Sequence, residues 1–212
     1  YYISLRPILQ GVARCCLKAM GADKMGLSDE ELQDIVYRWR QASPRIKDLW
    51  YGAENAALEA VKECRPTGVR GLIFARECDV MNGTDFLTVR LPSGRKLYYP
   101  QPEITVNRFG KQAVSFMSQK GNTWTRQETY GGKLTENIVQ AIARDCLALT
   151  LERLDSAGYR TVMHIHDEAV VDCPAECADL KALCDIMRQS IPWAEGLILN
   201  ADGFVGDYYK KE

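Results

Sequence analysis

Histidine is nearly missing from this sequence. The 212 residues hold two, and both fall in one short run, Thr161 to Asp172, "TVMHIHDEAVVD". So sparse a supply leaves metal centres built from three imidazoles out of reach. Long apolar runs are missing too: none reaches the roughly 18 residues that a membrane-spanning helix needs. The amino-terminal stretch lacks the charged, apolar and small-residue regions of a secretory signal. No C-x-x-C pair occurs among the eight cysteines (Cys15, Cys16, Cys64, Cys78, Cys146, Cys173, Cys177 and Cys184). A chain of this length needs no disulfide staples, so reduced intracellular thiols are expected. There is no internal repeat and no low-complexity tract. The chain opens on Tyr1 and Tyr2 without a methionine, which suggests a fragment or a processed product.

What is present is the composition of an ordinary globular protein, 46% hydrophobic and 26% charged, with a net charge of −1. The charge is unevenly spread. Residues 90–133 carry eight Lys and Arg against Glu103 and Glu128, whereas residues 145–212 carry thirteen acids against six bases. A basic middle followed by an acidic end can present a cationic groove beside a cation-binding site. A solvated, basic β-rich surface would give the same composition.

The periodicity predicts an α+β chain in three stretches. Residues 1–70 read as helical: Ser28 and Glu31 form a capping box, followed by Leu32, Ile35, Val36 and Trp39 at helical spacing. Pro44 restarts the pattern through Ile46, Leu49, Trp50, Ala53, Ala57 and Val61 until Pro66 and Gly68. Residues 71–132 read as β-rich. They hold a hairpin of 86–91 with 96–100, then strands at 103–107, 113–119 and 123–129. Residues 133–212 begin with a long helix over 133–157, stopped by Gly158. A hairpin over the histidine run, a helix over 175–190 and a strand-like "GLILNADGFVGDYY" follow.

Two constellations carry chemistry. The hairpin reads as buried, with Val162 and His164 on one strand face and Met163 and Ile165 on the other. His166 and Asp167 stand at its turn, and Glu168 opens the return strand. Adjacent carboxylates in a partly dry place repel unless a cation offsets them, and Mg²⁺ prefers such oxygens. An ordinary polar turn, or zinc held by His164, His166 and Asp167, are the alternatives. On the long helix, Ile138, Ile142, Cys146 and Leu149, with Val139, Ala143 and Thr150, make an apolar face. Lys133, Asn137, Gln140 and Arg144 form a polar stripe at spacings of four, three and four. The cations suit phosphates and the amides suit groove acceptors shared by all base pairs, giving duplex contact with little sequence preference. A merely solvated helix face would look alike.

Taken together, "YGGKLTENIVQAIARD" followed by "HIHDEAVV" resembles the C-terminal part of a family A (polymerase I-like) DNA polymerase of the phage or prophage type. "VRLPSGRKLYYPQPEI" resembles a segment of the phage enzymes, and "ADGFVGDYYKK" resembles their final palm strand; the likeness runs from about Lys18 onward. It implies a fingers-derived helical segment (1–70), a β-rich insertion (71–132) and a palm portion with an antiparallel sheet (133–212). By the same likeness, Asp167 would hold paired Mg²⁺ ions with Glu168 as an auxiliary acid, and His166 would lie near the primer terminus. Asn137 and Gln140 would touch the minor groove, flanked by Lys133 and Arg144. The partners implied are primer–template DNA, deoxynucleoside triphosphates and the upstream remainder of the polymerase, in the cytoplasm of a bacterial or phage-infected cell. A primer 3′-hydroxyl would attack the α-phosphate, with pyrophosphate leaving.

Some of the family's pattern is not matched. Asn and Gln are usually four apart there and are three apart here. The other metal aspartate, in an Asp-(Tyr/Phe)-Ser-x-(Ile/Leu)-Glu run, has no equivalent; Asp85 to Arg90 begins like it but lacks the Ser and the acid. Arg14 and Lys18 have the first spacing of the nucleotide-binding fingers helix, but Met25-Gly26 stand where an aromatic-Gly pair belongs. The chain alone is therefore expected to be inactive. A metal-dependent phosphohydrolase or nuclease, and a non-catalytic DNA-binding protein, are the alternatives.

Overall fold

The computed structural model describes Leu17, Gly21, Ala22, Lys24 and residues 26–209. Tyr1, Tyr2, Arg14, Cys15, Cys16, Lys18, Met25, Lys210 and Lys211 lie outside the described residues. The described chain is an α+β protein whose sheets are antiparallel throughout. It divides into two compact units, residues 1–139 and 140–212. Among the described residues no helix is long and apolar enough to cross a membrane.

In the first unit, α1 (Asp29–Ala42) and α2 (Pro44–Glu63) come first. Ser28 accepts from the Glu31 backbone N–H while Glu31 accepts from the Ser28 N–H, so the capping box forms as read. Leu32 and Val36 are buried, but Ile35 is exposed: it sits at the margin of a stripe too narrow to include it. Trp39 stacks on Trp50 of α2, with centroids 5.8 Å apart. α2 buries an alanine-rich face, Ala53, Ala56, Ala57 and Ala60, so neighbouring backbone can approach it closely. The helix ends at Glu63 on a left-handed Cys64, before the Pro66 and Gly68 expected to stop it.

Seven strands follow: β1 (Thr67–Val69), β2 (Leu72–Asp79), β3 (Thr84–Arg90), β4 (Lys96–Pro100), β5 (Glu103–Val106), β6 (Gln112–Lys120) and β7 (Thr123–Glu128). β1 to β4 form one meander and β5 to β7 another. The last five match the strands read from the sequence. β1 and β2 are additions, although Leu72 and Phe74 alternate inward like any half-buried strand. In β3, Asp85 accepts from Arg76 at 2.6 Å, so its carboxylate serves the β2–β3 pair. Tyr99 meets Phe116 edge-to-face at 4.9 Å, joining the two sheets.

The long helix α3 (Gly131–Ser156) begins in the first unit and ends in the second. Its start is wedged against α2: a Cβ on Gly131 would stand 2.0 Å from the Trp50 carbonyl oxygen. Its end is a Schellman turn. Gly158 has φ 85°, and the Tyr159 N–H returns to the Leu154 carbonyl at 2.9 Å. Ile138, Cys146 and Thr150 are buried as the apolar face requires, but Ala143 is exposed, and Leu134, Ala141, Leu147 and Leu154 complete the buried set instead.

In the second unit, β8 (Thr161–Ile165) and β9 (Glu168–Val171) pair as an isolated hairpin, and α4 (Leu180–Met187) follows. The helix expected over 175–190 is thus shorter, because Asp179 caps it by accepting from the Ala182 N–H at 3.0 Å. Ala175–Cys177 form a separate 3₁₀ turn. The closing stretch "GLILNADGFVGDYY" is not a strand. Ile198 and Val205 are exposed there, and among the described residues the stretch pairs with no strand, so apolar alternation alone makes no ladder.

Candidate functional site

The acidic tip is built by a two-residue loop. Ile165 pairs with Glu168, so His166 and Asp167 alone make the turn. Such tight loops need positive φ at a central residue, a role glycine normally fills. Here His166 carries it, at φ 52°, which costs a non-glycine residue about 1 kcal/mol. Strain kept at a functional position is a reason to look at the residue that keeps it.

The hairpin is not buried, contrary to the sequence reading. His164, His166 and Asp167 are exposed, as are Val162 and Met163, and Glu168 is half-buried. Among the described residues β8 and β9 form a sheet of their own, with no third strand at either edge. The premise of a dry carboxylate pair therefore fails. Glu168 is nonetheless held, because the Tyr209 hydroxyl donates to its Oε2 at 3.1 Å. Partial burial and that bond raise the Tyr209 phenol above its ordinary value. No local sequence signal marks Tyr209, which lies 41 residues from its partner.

The polar stripe of α3 is only partly free of the fold. Lys133 is exposed and ion-pairs with the buried Glu136 at 3.0 Å. Asn137 is half-buried and donates to the Tyr99 hydroxyl at 3.1 Å, which turns its amide toward β4. Gln140 and Arg144 are exposed. Within the second unit, Arg144 Nη2 lies 3.5 Å from His164 Nε2, so the tips of these two side chains meet. Sequence reasoning weighed His164 only as a zinc ligand and missed this neighbour.

Asp167, exposed at the turn, and the half-buried Glu168 that follows it carry hard oxygen donors, which is the donor chemistry Mg²⁺ takes. Among the described residues no group of three or more His, Cys, Asp and Glu side chains gathers at metal-holding distance. The tip thus fits a carboxylate contribution to a magnesium site rather than a complete cage.

Comparison with known proteins gives one likeness of high identity. A DNA polymerase of Bacillus phage SP02 is 51% identical to this chain over 196 residues. That alignment covers 91% of this chain and 29% of that protein, so the chain spans less than a third of the curated relative's length. No family model matches the chain. No solved structure matches it either.

Proposed function

We propose that this chain is the C-terminal portion of a template-directed DNA polymerase of the polymerase I-like family, phage type, working in the cytoplasm of a bacterial or phage-infected cell. The observation that carries the reading is the 51% identity to a phage DNA polymerase over nearly the whole chain. Two features support its assignment to residues: an exposed Asp167 on a strained turn, and His164 of the same hairpin 3.5 Å from Arg144 of α3.

In this reading Asp167 supplies carboxylate oxygens to Mg²⁺, and Glu168, oriented by Tyr209, stands beside it as an auxiliary acid. Magnesium held there would lower the pKa of a primer 3′-hydroxyl and offset charge on the leaving oxygen. His166 lies at the primer end. Gln140 reads the minor groove without regard to sequence, while Arg144 and Lys133 meet phosphates. Asn137 is the weakest of the assigned DNA contacts, because Tyr99 engages its amide. One carboxylate pair is too few donors for two Mg²⁺ ions, so the 212-residue chain alone is inactive and needs the upstream remainder of the polymerase.

The test is primer extension by the phage SP02 polymerase carrying this chain in place of its homologous segment. The reading predicts nucleotide incorporation by the hybrid and none by the chain alone. A folded hybrid that binds duplex without extending it would refute the reading. Duplex cleavage by the chain without added nucleotides would favour a nuclease instead.

A further inference from the structure

Among the described residues, most arginines and lysines with a defined partner face a carboxylate. Arg76 pairs with Asp85, Lys96 with Glu77, Arg126 with Glu103 and Arg188 with Asp185. Arg144 does not. Among the described residues its close partner is the imidazole of His164, with Nη2 and Nε2 3.5 Å apart and both side chains exposed. That separation is at the outer limit of a hydrogen bond, so the contact contributes little to the fold. A guanidinium N–H can only donate, so the imidazole accepts it only while Nε2 carries no proton. Two nitrogens converging at this spacing on open surface leave room for an oxyanion that accepts from both.

We infer that Arg144 and His164 form one subsite for a backbone phosphate of duplex DNA, in which the imidazole takes up a proton as the phosphate binds. The inference rests on the polymerase reading and deepens it by adding His164 to the DNA contacts. The phosphate oxygen accepts from the guanidinium and from the protonated Nε2, and the proton comes from solvent. Histidine is the side chain whose ordinary charge change falls between pH 5 and 8. The groups around it are few. Arg144 faces it from α3, and Ala169 stands opposite on β9. His166 and Asp167 form the turn two and three residues further on, while Glu168 pairs with Ile165 and is bonded by Tyr209. Asp145 follows Arg144 and projects about 100° around the helix axis.

The experiment is fluorescence anisotropy of a labelled primer–template duplex with the 212-residue chain, across salt at pH 6 and pH 8. The expected wild-type result is weaker binding at pH 8 than at pH 6, because the imidazole must take up its proton from a more dilute supply. His164→Gln should remove that pH dependence, and Arg144→Gln should lower the salt slope by about 1. Arg144→Lys should keep the slope, and circular dichroism should show all three variants folded. Binding whose pH dependence survives in His164→Gln and vanishes in His166→Gln would overturn the subsite. So would a salt slope unmoved by Arg144→Gln. If millimolar deoxynucleoside triphosphate displaces duplex from wild type but not from His164→Gln, the phosphate belongs to the nucleotide and the backbone assignment is overturned. A wild-type chain that binds no duplex under any condition would overturn the DNA-contact reading itself and the subsite with it.

Discussion

Gly131 is the position where one methyl group should cost the most. A Cβ there would lie 2.0 Å from the Trp50 carbonyl oxygen, 2.6 Å from its carbonyl carbon and 3.2 Å from the Glu54 Cβ. Carbon and oxygen in ordinary contact stand about 3.3 Å apart, so the shortfall exceeds an ångström. The nearest atoms are backbone of α2, a helix fixed by Trp50, Ala53 and Ala57 in the core, so no side-chain rotation relieves the clash. Either the start of α3 lifts or α2 shifts. Overpacking of this kind costs about 1–3 kcal/mol. In a protein of this size each kcal/mol lowers Tm by roughly 2–4 °C, so Gly131→Ala should melt about 2–12 °C lower. Gly52→Ala is the control. Its Cβ would meet the Val69 Cγ2 at 2.8 Å, a side-chain methyl that can move, and alanine within α2 recovers up to about 1 kcal/mol of helix propensity. Thermal unfolding followed by circular dichroism checks both. A Gly131→Ala protein melting within 1 °C or so of wild type would refute the close approach of α3 to α2.

Further outcomes follow from the same geometry. His166→Gly should raise stability by about 1 kcal/mol, read as a higher denaturation midpoint, because glycine adopts the left-handed turn without strain. Tyr99→Phe should lower stability by about 1 kcal/mol in the same assay, since it removes the acceptor of the half-buried Asn137 amide from the core. The hydrogen bonds from Arg76, then Cys78, hold the Asp85 carboxyl below its ordinary value. Its stabilisation is therefore present above the unfolded value near 3.9 and is lost as pH falls through the folded value. The stability difference between wild type and Asp85→Asn, measured by urea unfolding from pH 7 to pH 3, should shrink at the acid end.

Local signals in the sequence were enough for much of the fold. Ser28 with Glu31, Pro44 and Gly158 each act on their own turn of helix, so caps and breaks could be read without tertiary information. The β3–β4 hairpin was legible because its two runs flank a tight "PSGR" turn. Ambiguity entered where a segment's state depends on a partner distant in sequence. Among the described residues the stretch 197–206 alternates like a strand yet joins no ladder, and the hairpin at 161–171 has the apolar content of a buried element yet stays largely exposed. The site shows the same division. Asp167 at a turn and Gln140 with Arg144 on one helix stripe follow from period alone. The Tyr209–Glu168 bond and the meeting of Arg144 with His164 depend on chain segments folding back, which periodicity does not encode.

In the proposed polymerase, the hairpin tip serves nucleotidyl transfer through the Asp167 carboxylate. The most direct test of that role is single-turnover primer extension by the hybrid phage polymerase with Asp167→Asn, an exposed and nearly isosteric change. Loss of several kcal/mol of charge stabilisation corresponds to a rate roughly a thousandfold lower, with duplex affinity and Tm unchanged. A hybrid that extends primers at an undiminished rate with asparagine at position 167 would contradict the claim.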